Sequence, residues 1–423
     1  MRLHLKKYFY IIFSTIMFLA GCKHDEPLPA EPTINSSFQS DIVWPSLKQT
    51  PWPMYRHDPQ LTGRSPSIGP AIGVVAKTLS ISGKGEINSG ITIDADSTMY
   101  VSISFDSLDL FALYYQGEPK WAKKNIPPNV VREVFNSPTI GNNGTLYHTT
   151  RGGIFALTSE GDLVWNYFPS TDANGLVTQI GKDGTIYFIS QTGILHALSP
   201  AGELLWTLTD SRFSWGSIIT PSFSVDGKTL YVQCYKDANI AAIDIETHNI
   251  KWTFGRSGTP NAPVVDAQGN IYLLPYSGVR TDPVMVDTFY SIKPDGTTRW
   301  QFPFQYHKQQ HMDQFINYDP TIDKNGNIYF AVDTLYSLDH AGKVRWKYGF
   351  ENGDYNYCPL VCDANGTIYV GTANSYIMAI SNAGKQLWKI KIEGIIGLGY
   401  SPTIVNGRLI YSSWKSNKLY LIE

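Results

Sequence analysis

Residues 142–147 read NNGTLY, and the same turn-and-strand phrase returns as KDGTIY at 182–187, KNGNIY at 324–329 and ANGTIY at 364–369. Internal repetition at a fixed period constrains a fold more than any other sequence signal, because each unit must bury its apolar face against a copy of itself. Aligned on the tyrosine after the turn, the chain gives eight registers: Tyr100, Tyr147, Tyr187, Tyr231, Tyr272, Tyr329, Tyr369 and Tyr411. Aligned on the tryptophan that ends each unit, it gives seven, spaced 41 to 48 residues apart: Trp121, Trp165, Trp206, Trp252, Trp300, Trp346 and Trp388.

Each unit parses into four short strands. In the second unit these are Ser137–Ile140, Thr145–Thr150, Ile154–Thr158 and Leu163–Tyr167, separated by Asn142-Asn143-Gly144, Arg151-Gly152-Gly153 and Glu160-Gly161-Asp162. Asn-Gly supplies the positive φ angles of a tight hairpin. A four-stranded antiparallel unit of this length is a propeller blade. Pro138, Pro221, Pro263, Pro320, Pro359 and Pro402 fall in the first strand of their units. Proline cannot donate to a ladder, so that strand is expected at the blade edge lining the channel.

The fold expected is therefore an all-β, eight-bladed propeller of four-stranded antiparallel blades. The blades are expected at 86–121, 136–167, 176–208, 219–254, 261–302, 319–348, 358–390 and 400–423. The last unit stops at Glu423, after its third strand. Gly73–Leu79 (GVVAKTL) has the place in the order of a missing fourth strand, so residues 71–80 are predicted to pair with the C-terminal hairpin and close the ring, which leaves few exposed edges.

The first 21 residues stand apart. Met1–Lys7 is basic and Tyr8–Ala20 is an apolar run of 13 residues, the n- and h-regions of an export signal and short for a membrane span of about 20 apolar residues. The following Leu19-Ala20-Gly21-Cys22 resembles the bacterial lipoprotein box, and that resemblance implies cleavage before Cys22 and lipidation of its thiol. Lys23 in the next position implies, by the same resemblance, sorting to the outer membrane. Residues 22–51, rich in Pro and Ser, are read as a flexible tether of roughly 30 Å reach, and 52–423 as the propeller. The net charge is −2, and the mature chain loses the three cations Arg2, Lys6 and Lys7, so nothing in the charge calls for a nucleic-acid partner.

Ala242-Ile243-Asp244-Ile245-Glu246-Thr247 through Lys251-Trp252 is similar to the A-x-D-x-x-T-G-K-x-x-W repeat of the quinoprotein propellers, in which the tryptophan docks one blade on the next. Here the repeat's glycine is displaced, and His248-Asn249 stands in its place. Trp52-Pro53-Met54-Tyr55-Arg56-His57-Asp58 with Thr62-Gly63-Arg64-Ser65 also resembles the segment preceding the propeller in some secreted members. The resemblance implies two opposed functions. Quinoprotein dehydrogenases hold pyrroloquinoline quinone and calcium, many beside an adjacent cysteine pair. The propeller lipoproteins of outer-membrane barrel assembly are non-enzymatic scaffolds.

The residues favour the scaffold. Cys234, Cys358 and Cys362 make no adjacent pair, and the last two stand roughly 13 Å apart along one extended strand, too far for a disulfide. They are read as buried apolar residues. Asp323–Asn327 and Asp363–Gly366 resemble calcium loops, but Thr334 and Asn374 stand where a bidentate Glu is needed, so both are read as hairpin turns. No catalytic residue, cofactor or metal ligand is expected.

Function is expected where the repeat is broken. PFQYHKQQHMDQF at 303–315 and the insertion Pro275–Asp287 should crowd one sector of the rim, on the face of the fourth-to-first links. The candidate partner-binding residues are Tyr306, His307, His311 and Phe315 there, with Trp215, Tyr355 and Tyr357 on equivalent links. The reading at this level is a monomeric, lipid-anchored scaffold of the cell envelope that binds a protein partner. A surface glycan-binding lipoprotein, with the aromatics as stacking platforms, and a quinone-dependent dehydrogenase are the alternatives.

Overall fold

The computed structural model describes residues 38–81, 86–104, 110–123, 137–150, 152–169, 177–190, 192–213, 220–256, 259–276, 284–307, 318–396, 401–414 and 417–423. They form an eight-bladed propeller. In blade two, Thr139–Ile140, Leu146–Thr150, Gly153–Leu157 and Leu163–Tyr167 pair in sequence order from the channel outward. Seven blades repeat that order. The eighth is closed from the other end of the chain: Val75–Ser80 pairs antiparallel with Lys418–Ile422, with Thr78 opposite Tyr420.

Burial explains the blade sequence. Second and third strands such as LYHTT and GIFAL are buried throughout, because blades stack on both of their faces, whereas outer strands such as LVWNY alternate with solvent. Along one row of each of the first seven blades a second-strand tyrosine, a third-strand Ala or Ser and the outer tryptophan lie side by side, as in Tyr147–Ala156–Trp165 and Tyr329–Ser337–Trp346. The small middle residue lets the two rings approach, so the Tyr147–Trp165 and Tyr329–Trp346 centroids lie 5.9 and 5.8 Å apart. A register shift follows that row directly, between Ala156 and Leu157 for instance, and bulges of this kind increase twist.

The tryptophan edges then dock on the next blade. The indole N–H of Trp121, Trp165, Trp252, Trp300, Trp346 and Trp388 donates to a carbonyl of the following unit at 2.8–3.1 Å. Under each ring sits a glycine of that unit; a Cβ on Gly296 would lie 2.7 Å from Trp252. Six of the seven tryptophans also have a glycine four residues before them, so the repeat's glycine keeps its place relative to the tryptophan rather than being displaced. His248 is the one replacement.

Two local expectations are refined. Apart from Glu86–Ile93 of blade one, the inner strands are only two or three residues long, and the prolines stand just before them: Pro138 precedes Thr139–Ile140 and Pro402 precedes Thr403–Val405. In the NNG turn only Gly144 has a positive φ, 85°. Asn143 acts through its side chain instead, its Oδ1 accepting the Thr145 N–H at 3.0 Å.

Residues 22–37 lie outside the described residues. Residues 38–51, the rest of the expected tether, are not free: they lie along the first-to-second-strand turns. The Gln39 N–H donates to Lys324 O, the Asn142 N–H donates to Ser46 O, and Lys48 pairs with Asp94 at 2.7 Å. The chain then enters the channel mouth. Carbonyls of Trp52, Pro53, Pro59, Gln60, Thr62 and Gly63 accept the N–H of Ile93, Ile140, Phe223, Val265, Ile322 and Cys362, one inner strand after another. The Trp44 indole reaches Ile180 O of blade three, and the Ser65 hydroxyl reaches Ile404 O of blade eight. One continuous segment thus bonds to the inner strand of all eight blades, satisfying donors that a propeller otherwise leaves on its innermost edge.

Candidate functional site

The repeat is most altered at blade five. Its third strand, Val284–Ile292, has nine residues and its fourth, Thr298–His307, has ten. The ladder runs to Val284 opposite His307, so the two insertions read from the sequence meet as one extended hairpin on the face away from the N-terminal segment. Both strands alternate. Met285, Phe304 and Tyr306 turn inward, while Val284 and Val286 are exposed.

The inward side is an aromatic stack. Phe289 lies 4.5 Å from Phe330, and Phe330 lies 4.9 Å from Tyr336, each pair nearly parallel. Phe304 meets Phe330 and Tyr336 edge-on. On its outer side the stack opens into a groove of about 500 Å³ between Val286, Phe302, Gln305, Tyr336 and Lys347, with the Lys347 ammonium 5.1 Å above the Tyr336 ring. At the hairpin's end, the His307 N–H and Nδ1 meet Asp333 Oδ2 at 2.8 and 3.1 Å, and the imidazole itself is 75% exposed.

The candidate rim residues divide accordingly. Trp215, His311 and Phe315 lie outside the described residues. His307 is exposed at the rim. Tyr306, Tyr355 and Tyr357 are buried. The Tyr306 hydroxyl donates to Asp287 Oδ2 at 2.7 Å, and Tyr355 and Tyr357 meet edge to face at 5.8 Å. Burial, helped by Tyr357 and Asp354, pushes the Tyr355 hydroxyl up to about 12. These rings are core rather than exposed platforms. The groove residues Val286, Phe302, Tyr336 and Lys347 were missed, although the alternation of WQFPFQYH at 300–307 marks a long strand with one wet face.

On the axis, Met54, Arg56 and Leu61 fill the mouth and are fully buried. Arg56 gives Nε to Leu61 O at 2.9 Å, Nη1 to Leu360 O at 3.0 Å and Nη2 to Pro320 O. Asp319 accepts the Tyr55 hydroxyl at 3.0 Å and the Ala262 N–H at 2.9 Å, while burial raises its carboxyl above the usual range. Cys234, Cys358 and Cys362 are free thiols, all buried. Burial pushes Cys358 up to about 11 and Cys362 up to about 12. Asp323 is a turn residue: Oδ1 accepts the N–H of Asn325 and Asn327, and Oδ2 accepts the Tyr329 hydroxyl at 2.7 Å. Among the described residues no helix is long and apolar enough to cross a membrane.

A family model described as outer membrane protein assembly factor BamB matches residues 173–278. No curated protein sequence matches the chain. Among solved structures, BamB from Moraxella catarrhalis aligns with a TM-score of 0.61 at 16% identity, covering 83% of this chain and all of that one. A europium-containing methanol dehydrogenase aligns with a TM-score of 0.60 at 16% identity, over 87% of this chain and 90% of that one. A quinohemoprotein alcohol dehydrogenase of Pseudomonas putida HK5 aligns with a TM-score of 0.65 at 11% identity, over 87% of this chain and 76% of that one. BamB and the dehydrogenases share the architecture, so the likeness speaks for fold alone: the chain is an eight-bladed propeller similar in fold to both, with the family match confined to residues 173–278.

Proposed function

We propose that this protein is a non-enzymatic scaffold of the bacterial cell envelope, anchored by lipid on Cys22, that holds a protein partner at the blade-five rim. The observation that carries the reading is the extended hairpin with exposed Val284 and Val286 beside the Phe302–Tyr336–Lys347 groove. Apolar and aromatic side chains with a cation, held on a rigid blade, suit an apolar protein segment bearing an acid. The partial BamB-type family match supports the envelope location, and Leu19-Ala20-Gly21-Cys22 supports the anchor.

The residues on the axis argue against the dehydrogenase reading. A quinone cofactor with calcium needs an arginine and acids free to face it. Arg56 spends its donors on backbone carbonyls, Asp319 is taken by Tyr55 and Ala262, and the mouth is filled by the chain's own side chains. These residues do not fit that group. The glycan reading loses three of its stacking platforms, since Tyr306, Tyr355 and Tyr357 are buried.

Photo-crosslinking in cells tests the reading. A photoreactive residue at Val286 should give one discrete adduct with an envelope protein, lost on Lys347→Glu, and the same residue at Leu163 of blade two should not. Smears of equal intensity from both positions would sink the rim assignment. Dye-linked alcohol oxidation on adding quinone and calcium would overturn the non-enzymatic reading.

A further inference from the structure

The face that carries the arm 38–51 and the plug 52–66 lies opposite the blade-five rim. The first-to-second-strand turns that hold the arm, at Asn142 and Lys324 for instance, define it. Antiparallel pairing puts the third-to-fourth turns and the start of each outer strand on the same side. Among the described residues, apolar side chains stand exposed around this face. Val43 of the arm is 75% exposed and Ile72 is 68% exposed, and Phe38, Ile68 and Val74 are each about half exposed. Ile72 and Val74 flank Gly73, which packs on the Trp388 ring.

The outer strands continue the pattern. The residue before the docking tryptophan is a cation in blades one, four, five and six, and each is tied down: Lys120 to Thr98, Lys251 to Thr229, Arg299 to His340 and Arg345 to Ser337. In blades two, three and seven the same position holds Val164, Leu205 and Leu387, apolar and about half exposed. Leu205 stands beside the arm-face turn Asp226–Lys228. Leu163 and Leu204, the residues before Val164 and Leu205, are exposed as well. Exposed apolar area gathered on one face of a monomer marks a contact surface.

We infer that the arm face rests on a lipid bilayer, with Val43, Ile72 and Leu205 in its interfacial layer; the inference builds on the anchor at Cys22 proposed above. The apolar side chains are spread around a face, which suits a plane, whereas a protein partner is held by a central cluster. The charges among them are of both signs and paired: Lys120 with Asp96, Lys123 with Asp162 and Arg64 with Asp41. A face of paired charges suits a zwitterionic headgroup layer, where apolar area carries the binding. The chain also supplies the proximity. Cys22 and Phe38 are sixteen positions apart, so an acyl group on Cys22 keeps Phe38 within about 55 Å of the membrane at full extension. In this orientation the blade-five rim points away from the bilayer, open to its partner.

The test uses the acylated protein in phosphatidylcholine vesicles, with an environment-sensitive fluorophore on a cysteine placed in turn by Val43→Cys, Ile72→Cys, Leu205→Cys and Val286→Cys. Cys234, Cys358 and Cys362 are buried, so the label goes to the new thiol. Quenching by brominated phosphatidylcholine is expected at the three arm-face positions, at least about threefold stronger than at Val286 on the opposite face. Val43→Asp with Ile72→Asp should lower the quenching at Leu205 about fivefold, since both replace apolar contact with a charge. Sedimentation with the vesicles reads the anchor separately. If the protein stays in the supernatant, the lipidation reading fails, and the same four labels are then read on protein held to the vesicles through an N-terminal tag and a chelating lipid. The inference falls if Val286 is quenched as strongly as the arm face, or if no arm-face label is quenched on membrane-held protein. It falls equally if the arm-face labels respond to protein concentration without vesicles, which would show a second copy covering this face.

Discussion

Trp206 stacks on His248 with ring centroids 4.3 Å apart and planes 22° from parallel. At the other docking junctions a glycine lies under the tryptophan, because a Cβ would collide with the ring. His248 occupies the same place with a φ of 59°, so its backbone follows the glycine path and its imidazole lies along the indole. One junction has exchanged freedom from strain for an aromatic contact.

His248→Gly should therefore change stability by less than about 1 kcal/mol. Relief of left-handed strain and loss of stacking are each worth about that much and oppose one another. Gly296→Ala should cost about 2 kcal/mol or more, since its φ is 86° and the new Cβ would lie 2.7 Å from Trp252. Urea melts of the two variants compare them directly. Equal losses would show that the docking glycine is not required by geometry.

The N-terminal strand should be indispensable. Leu79 is buried on the face toward blade one, where a Cβ on Gly117 would lie 2.2 Å from it. Deleting 71–80 strips the Lys418–Ile422 edge and leaves that face bare. Aggregation on gel filtration or a large drop in Tm is expected, and a monomeric peak with an unchanged melt would contradict the closure.

Acid should weaken the fold through two histidines. His148 and His196 lie in the second and third strands of neighbouring blades, and burial lowers both imidazoles to about 4. In the unfolded chain they take a proton near the ordinary 6.5. Unfolding therefore binds protons between those values: the stability is fully present above pH 6.5 and is lost as pH falls toward 4. For a fully buried imidazole such as His148 the loss is on the order of 3 kcal/mol. His148→Phe should flatten the dependence of the urea midpoint on pH in that window, and an unchanged slope would show that His148 does not carry it.

The blades were legible in the sequence because their constraints are local and repeated. The turn, the tyrosine and the tryptophan recur at one spacing, and the unfilled fourth strand pointed to Val75–Ser80. The arm was not legible. Residues 38–51 have no period, and their Pro and Ser content reads as a tether. What orders them is the inner edge of a ring assembled from residues hundreds of positions away, as when Gln39 bonds to Lys324. The rim was half legible. Broken repeats located the hairpin, but which aromatics face outward depends on the pleat, and Tyr306 falls on its inner side.

The arm's attachment rests on Trp44. Its ring is 2% exposed, lies 5.2 Å from Phe223, sits under the Lys182 ammonium at 5.1 Å, and donates its indole N–H to Ile180 O at 2.7 Å. The other ties are mostly polar, with Leu47 the arm's second buried apolar side chain: the Ser46 hydroxyl to Gly181 O at 2.6 Å, the Gln39 amide to Gln268, and the Lys48–Asp94 pair. Truncating a buried tryptophan costs about 3–5 kcal/mol. Trp44→Ala should therefore release residues 38–51 while the plug, bonded strand by strand to the blades, stays in place. Limited proteolysis should cut the variant before Trp52 at an early time point and leave a resistant fragment beginning near that residue, with wild type uncut there. Loss of the whole propeller at the same rate would show that arm and blades unfold as one unit; no change in cleavage would show that Trp44 does not hold the arm.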